Sequence, residues 1–145
     1  MGKVWFIGAG PGAPDLLTVR GARLIGEADV VVWARSLVHE DALQYARPGA
    51  QIVESTTIPL ESVRGLYERA VDEDLKVARV HSGDPSLYGA VMEQIELCDE
   101  IGLDWEIVPG VSSRRSGCGH KTRADHSRGL TVCDPNSPRE PHPDA

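Results

Sequence analysis

An apolar run, Val4-Trp5-Phe6-Ile7, leads directly into Gly8-Ala9-Gly10-Pro11-Gly12-Ala13-Pro14-Asp15-Leu16-Leu17-Thr18. A short continuous apolar run of this kind reads as a buried strand. Glycine lacks a Cβ, so a loop holding three of them can pass close to a ligand. Pro11 and Pro14 fix φ at two points and stiffen the loop. A strand that ends in a rigid glycine-proline loop restricts the fold to those that hold something at the strand's carboxyl end.

One candidate is a dinucleotide fingerprint, since Gly8, Gly10 and Ala13 fit G-x-G-x-x-G/A. Two features oppose it. In that fingerprint the helix starts on the loop and its N-terminus holds a pyrophosphate. Here Pro11, Pro14 and Asp15 keep the chain irregular as far as Thr18, the best N-cap candidate. The acid expected at the end of the second strand is also missing: Trp33, Ala34 and Arg35 stand there. The loop therefore suits a ligand without a pyrophosphate. A plain strand-to-helix connector is the simpler alternative.

Beyond the loop, strand and helix patterns alternate. Val19, Ala22, Leu24 and Ile25 place a helix at 18–27, and Asp29-Val30-Val31-Val32-Trp33 a second strand. A short helix is expected at 39–46, ended by Arg47-Pro48-Gly49, and a third strand at 51–54. Pro59 suits the first position of a helix, carried on by Leu60, Val63, Leu66, Ala70 and Val71 at helical spacing. A fourth strand at 75–80 runs into His81-Ser82-Gly83-Asp84-Pro85. Leu87, Val91, Ile95 and Cys98 mark a helix from 86 to 101, with Gly102 at its C′ position. A fifth strand at 105–108 precedes Pro109-Gly110-Val111-Ser112-Ser113. Such alternation predicts an α/β fold, a five-stranded mostly parallel sheet with helices on both faces. Right-handed crossovers then gather the loops after the strands along one sheet edge, where ligands bind in open α/β sheets. Loops 8–17, 81–86 and 109–113 are all rich in Gly, Pro, Ser and Asp, so that edge is the expected ligand cleft.

Three blocks, in this order and spacing, resemble the tetrapyrrole methylase family: Gly8-Ala9-Gly10-Pro11-Gly12 with Leu16-Leu17-Thr18 and Gly21, then Val80-His81-Ser82-Gly83-Asp84-Pro85-Ser86-Leu87-Tyr88-Gly89, then Val108-Pro109-Gly110-Val111-Ser112-Ser113. Within the family, residues 81–90 with Met92-Glu93-Gln94, and the Ser36-Leu37-Val38 loop, look most like the branch that methylates C11 of a precorrin. The likeness runs from about residue 3 to 113. It implies an N-terminal α/β domain and one wall of a cleft for S-adenosylmethionine (SAM), whose other wall is a second domain. It implies that Pro11, Gly83, Asp84, Leu87, Ser112 and Ser113 face SAM, and that Arg35, Ser36, His81 and Tyr88 face a tetrapyrrole. Plainer roles compete. Asp84 can cap the helix beginning near Ser86, His81 can be a hydrogen-bonded loop residue, and Arg35 a solvated surface arginine. Many relatives carry an acid after the position of Gly12, and some also carry one in the loop after the second strand. This chain has Ala13 and Arg35 there, so no catalytic base is assigned. Family members are commonly homodimers.

Composition narrows the partners further. With 41% hydrophobic residues in 145, the chain can build one domain with a real core. The formal net charge of -7 argues against nucleic acid as a main partner. No apolar run approaches the roughly 18 residues of a membrane span, and Gly8 to Asp15 interrupts the only stretch resembling a signal-peptide core. The three cysteines follow no disulfide framework, which suits the cytoplasm. Residues 114–145 hold almost no large apolar side chains and no periodicity, so a disordered tail is expected there. Cys118, His120, His126 and Cys133 match no zinc spacing, and no metal is expected. The abrupt change after Ser113, inside a recognised block, suggests a reading-frame slip, with domains at 1–113 and 114–145 and little turnover by the chain alone.

Overall fold

The computed structural model describes residues 2–87, 90–112, 122–125 and 130–133. The chain divides into two compact units, residues 1–111 and 112–145.

In the first unit, β1 (Lys3–Gly8), β2 (Val30–Trp33), β3 (Gln51–Glu54), β4 (Lys76–His81) and β5 (Asp104–Val108) form one sheet in the order β3-β2-β4-β1-β5. Every pairing in it is parallel. Parallel strands need crossovers. These are α1 (Val19–Glu27), α2 (Leu60–Asp72) and α3 (Ala90–Ile101), with a 3-10 segment, Glu40–Tyr45, between β2 and β3.

Side-chain alternation along the strands divides the core between two faces. Trp5, Ile7, Val31, Trp33, Ala78, Val80 and Val108 pack with Leu24 and Ile25 of α1 and with Val38 and Ala42. Val4, Phe6, Val30, Val32 and Val77 pack on the other face with Val63, Tyr67 and Ala70 of α2 and with Val91, Ile95 and Cys98 of α3. Helices cover both faces, which is why β1 and β2 read as unbroken apolar runs.

Local signals set several boundaries. Thr18 caps α1, its Oγ1 accepting the Gly21 N–H at 3.0 Å. Gly102 follows α3 at φ +76°, the left-handed geometry that favours glycine. Two expected helices differ. Residues 39–46 form the 3-10 segment Glu40–Tyr45 rather than an α-helix. Pro48 follows almost at once, and so short a segment cannot recover the cost of α-helical nucleation. The helix expected from residue 86 begins at Ala90, after a separate 3-10 turn, Pro85–Leu87.

The sheet order creates a switch point. From β1 the chain crosses through α1 toward β2, and from the adjacent β4 it crosses through α3 toward β5. The loops after β1 and β4 thus leave for opposite faces, the arrangement that opens a ligand crevice in such sheets.

The second unit contains an antiparallel pair, β6 (Thr122–Asp125) with β7 (Leu130–Cys133). It lies in the stretch where no periodicity was legible. No helix among the described residues is long and apolar enough to cross a membrane.

Candidate functional site

Parallel register sets the levels at the carboxyl edge. Gly8 pairs with His81 across β1 and β4, and Ile7 with Val108 across β1 and β5. The three small-residue loops therefore leave the sheet side by side, and they interlock. The Ala9 N–H donates to the His81 carbonyl at 2.7 Å, the Gly10 N–H to the Gly83 carbonyl at 3.2 Å, and the Gly83 N–H to the Gly10 carbonyl at 2.8 Å. A Cβ at Gly8 would stand 2.5 Å from the Gly83 carbonyl oxygen and 2.6 Å from the Gly110 Cα. One at Gly110 would stand 2.1 Å from the same oxygen. Three backbones touch where no side chain fits. The loops after β1, β4 and β5 make one continuous rim across the switch point.

Pro11 and Gly12 are exposed on this rim, and Gly12, at φ +142°, has open space around its α-carbon. Gly83 sits at φ +61°, which lets the chain reverse between β4 and the Pro85–Leu87 turn. Asp84 is half-buried. Its Oδ1 accepts the Ser86 N–H at 3.0 Å and the Ser86 hydroxyl at 2.8 Å, so it organises that turn. Leu87 closes the turn. Ser112 is buried and belongs to the second unit. Ser113 and Tyr88 lie outside the described residues, as do Cys118, His120 and His126.

On the other flank the loops after β2 and β3 meet. Arg35 and Ser36 are exposed in the turn after β2. The Arg35 guanidinium lies over the Trp33 ring, 5.6 Å from its centroid, a cation–π arrangement. The Arg35 N–H donates to Glu54 Oε1 at 3.1 Å. That oxygen also accepts the Thr56 N–H at 2.8 Å and the Thr56 hydroxyl. These donors, led by the Thr56 hydroxyl, hold the Glu54 carboxyl below its ordinary range, with the Arg35 charge contributing less. Behind them, Arg79 Nη1 donates to Ser55 Oγ at 2.6 Å, and Ser55 donates through both N–H and Oγ to the Trp33 carbonyl.

His81 stands at the end of β4 with its ring tilted against Phe6, centroids 6.0 Å apart. Its Nε2 is buried without a hydrogen-bond partner. Burial, reinforced by the Arg79 charge, pushes its pKa down to about 4, so the ring is neutral at pH 7.

Glu54, Ser55 and Arg79 escaped the sequence reading. The available signal was the polar string Glu54-Ser55-Thr56 at the carboxyl end of a strand, on the same edge as the glycine loops. Two cavities lie elsewhere. One of about 250 Å³ sits between α2 and the β2–β3 flank, and a wider one is lined by Glu61, Glu93, Glu96 and Glu100. Neither takes a lining residue from the three glycine loops. Among the described residues, no three His, Cys, Asp or Glu side chains come together as a metal ion would need.

The rim and its sheet have counterparts in known proteins. The cobalt-precorrin-4 C(11)-methyltransferase of Methanocaldococcus jannaschii is 48% identical over 111 residues, covering 77% of this chain and 43% of that protein. The X-ray structure of a cobalamin biosynthetic enzyme, cobalt precorrin-4 methyltransferase, superposes with a TM-score of 0.75 at 42% identity, covering 85% of this chain and 53% of the other. The uroporphyrin-III C-methyl transferase of Thermus thermophilus, solved with S-adenyl homocysteine, superposes with a TM-score of 0.65 at 34% identity, covering 89% of this chain and 52% of the other. The chain thus spans about half the length, or less, of the proteins it matches. Residues 3–118, which include all three glycine loops, match the Tetrapyrrole (Corrin/Porphyrin) Methylases, and the chain belongs to that family.

Proposed function

We propose that this chain carries the SAM-binding rim of a C-methyltransferase of cobalamin biosynthesis, acting at C11 of precorrin-4 or cobalt-precorrin-4. The observation that carries the reading is the backbone contact of Gly8, Gly83 and Gly110, which builds a side-chain-free rim within the family-matched segment. The likeness to cobalt-precorrin-4 methyltransferases supports the choice of substrate. The relative solved with S-adenyl homocysteine supports the choice of donor.

The residues present suit such a donor. SAM supplies, when bound, a methyl group on a sulfonium whose leaving group is neutral, so alignment provides most of the rate gain. Pro11 and Gly12 offer an exposed stiff edge, and Gly83, at φ +61° and bonded to Gly10 through both its N–H and its carbonyl, holds the two loops together beside it. Asp84 keeps its turn in place through Ser86, leaving its second carboxylate oxygen for an ammonium or a ribose hydroxyl. Leu87, Ser112 and Ser113 complete the set proposed to face the donor. Arg35 and Ser36 are proposed to face the ring, Arg35 as a cation for a peripheral carboxylate. His81 and Tyr88 are assigned to the substrate side with them. His81 would act there as a neutral ring, since its pKa is near 4.

Isothermal titration of the 145-residue chain tests this reading. SAM and S-adenosylhomocysteine should bind saturably, and NAD should give no heat of binding. Binding of NAD without SAM would reverse the assignment in favour of a dinucleotide domain.

A further inference from the structure

Resting on that reading of the substrate side, we propose that Glu54 is a positioning residue for tetrapyrrole recognition. Its carboxylate joins the turn after β2 to the turn after β3 and so aims the Arg35 guanidinium outward as a carboxylate reader.

Three donors converge on one oxygen, Glu54 Oε1: the Arg35 N–H, the Thr56 N–H and the Thr56 hydroxyl. Two come from the segment just after β3 and one from the turn after β2. A single side chain therefore fixes two loops that share no other backbone bond beyond the Ser55–Trp33 contact. The Arg35 guanidinium makes no ion pair with any described residue, whereas Arg47, Arg64 and Arg69 are all paired with carboxylates. It rests on the Trp33 ring instead. A cation stacked on an indole, exposed, and with its backbone anchored 3.1 Å from a carboxylate is ordered yet still has its hydrogen-bonding edge to offer. Charged hydrogen bonds of this kind are stronger than neutral ones. The Glu54 acceptor therefore orders the turn before a ligand arrives, which lowers the ordering cost of binding.

The test uses the 145-residue chain and uroporphyrin III, a tetrapyrrole bearing carboxylate side chains, followed by quenching of tryptophan fluorescence. Arg35→Ala and Glu54→Ala should each weaken porphyrin binding about tenfold. Glu54→Gln, which keeps a neutral acceptor, should recover part of the loss. SAM affinity by calorimetry should stay unchanged in all three, a separation that general unfolding would not produce. In the wild-type chain the Arg35 and Thr56 amide resonances should titrate together with Glu54, and this shared titration should vanish in Glu54→Gln. Wild-type porphyrin affinity in Glu54→Ala, with loss in Arg35→Ala, would overturn the role of Glu54 while leaving the function intact. Tighter porphyrin binding by Glu54→Ala would mean that Glu54 merely screens Arg35, and would also overturn it. A wild-type chain that binds neither SAM nor porphyrin would bring down the functional reading and this proposal together.

Discussion

His81 shows how one side chain links stability to pH. Buried against Phe6, with Nε2 unpartnered and Arg79 nearby, it resists protonation down to about pH 4, whereas an exposed histidine titrates near 6.5. Between those values the unfolded chain takes up the proton and the folded chain does not, so acidification favours unfolding. Its share of stability is complete above about pH 6.5 and falls by about 2–3 kcal/mol as the pH drops to 4. Urea midpoints measured across this range should fall in the wild type and fall less in His81→Phe. The glycines make a second residue-scale case, because their Cβ environments differ. Gly110→Ala sets a methyl 2.1 Å from the Gly83 carbonyl oxygen, backbone against backbone, and should cost about 2–4 kcal/mol. Gly65→Ala, inside α2 with nothing within 4 Å, should stabilise by about 1 kcal/mol. Denaturant unfolding of the two variants should move in opposite directions.

At the scale of elements, α2 and α3 are tied by one buried polar contact. The Tyr67 hydroxyl donates to Gln94 Oε1 at 2.8 Å, with Tyr67 fully buried and Gln94 at 8% exposure. Removing one partner leaves the other unsatisfied, so Tyr67→Phe should cost about 1–3 kcal/mol. Tyr67→Phe with Gln94→Leu should recover most of that loss, because both polar groups are then gone. A double-mutant cycle by chemical denaturation measures the coupling. The elements themselves were largely legible. The five strands, the three helices and the Thr18 cap follow from apolar runs, helical spacing and a hydroxyl before the first helical turn. The 3-10 character of Glu40–Tyr45 was not, since apolar spacing over six residues does not separate an α-turn from a 3-10 turn. The break at Pro85–Leu87 before α3 was hidden for the same reason.

For the molecule as a whole, the strand order concentrates stability in the first unit. All five parallel strands, and every described member of both core clusters, lie between Lys3 and Val108. A chain ending at Val111 should therefore retain one cooperative unfolding transition and the far-UV signal of an α/β sheet, as circular dichroism with urea would measure. Loss of cooperativity on that truncation would mean that the two clusters do not suffice as a core.

The alternation of apolar runs and helical patterns determined the fold class, and the glycine-proline loops marked one sheet edge as the candidate ligand site. Both are written in local residue order, where sterics and side-chain periodicity act over a few positions. Only the tertiary structure decided that Gly8, Gly83 and Gly110 touch, that Glu54 gathers donors from two turns, and that His81 is kept neutral. Those facts depend on parallel register and burial, which bring together residues many positions apart and remove them from water.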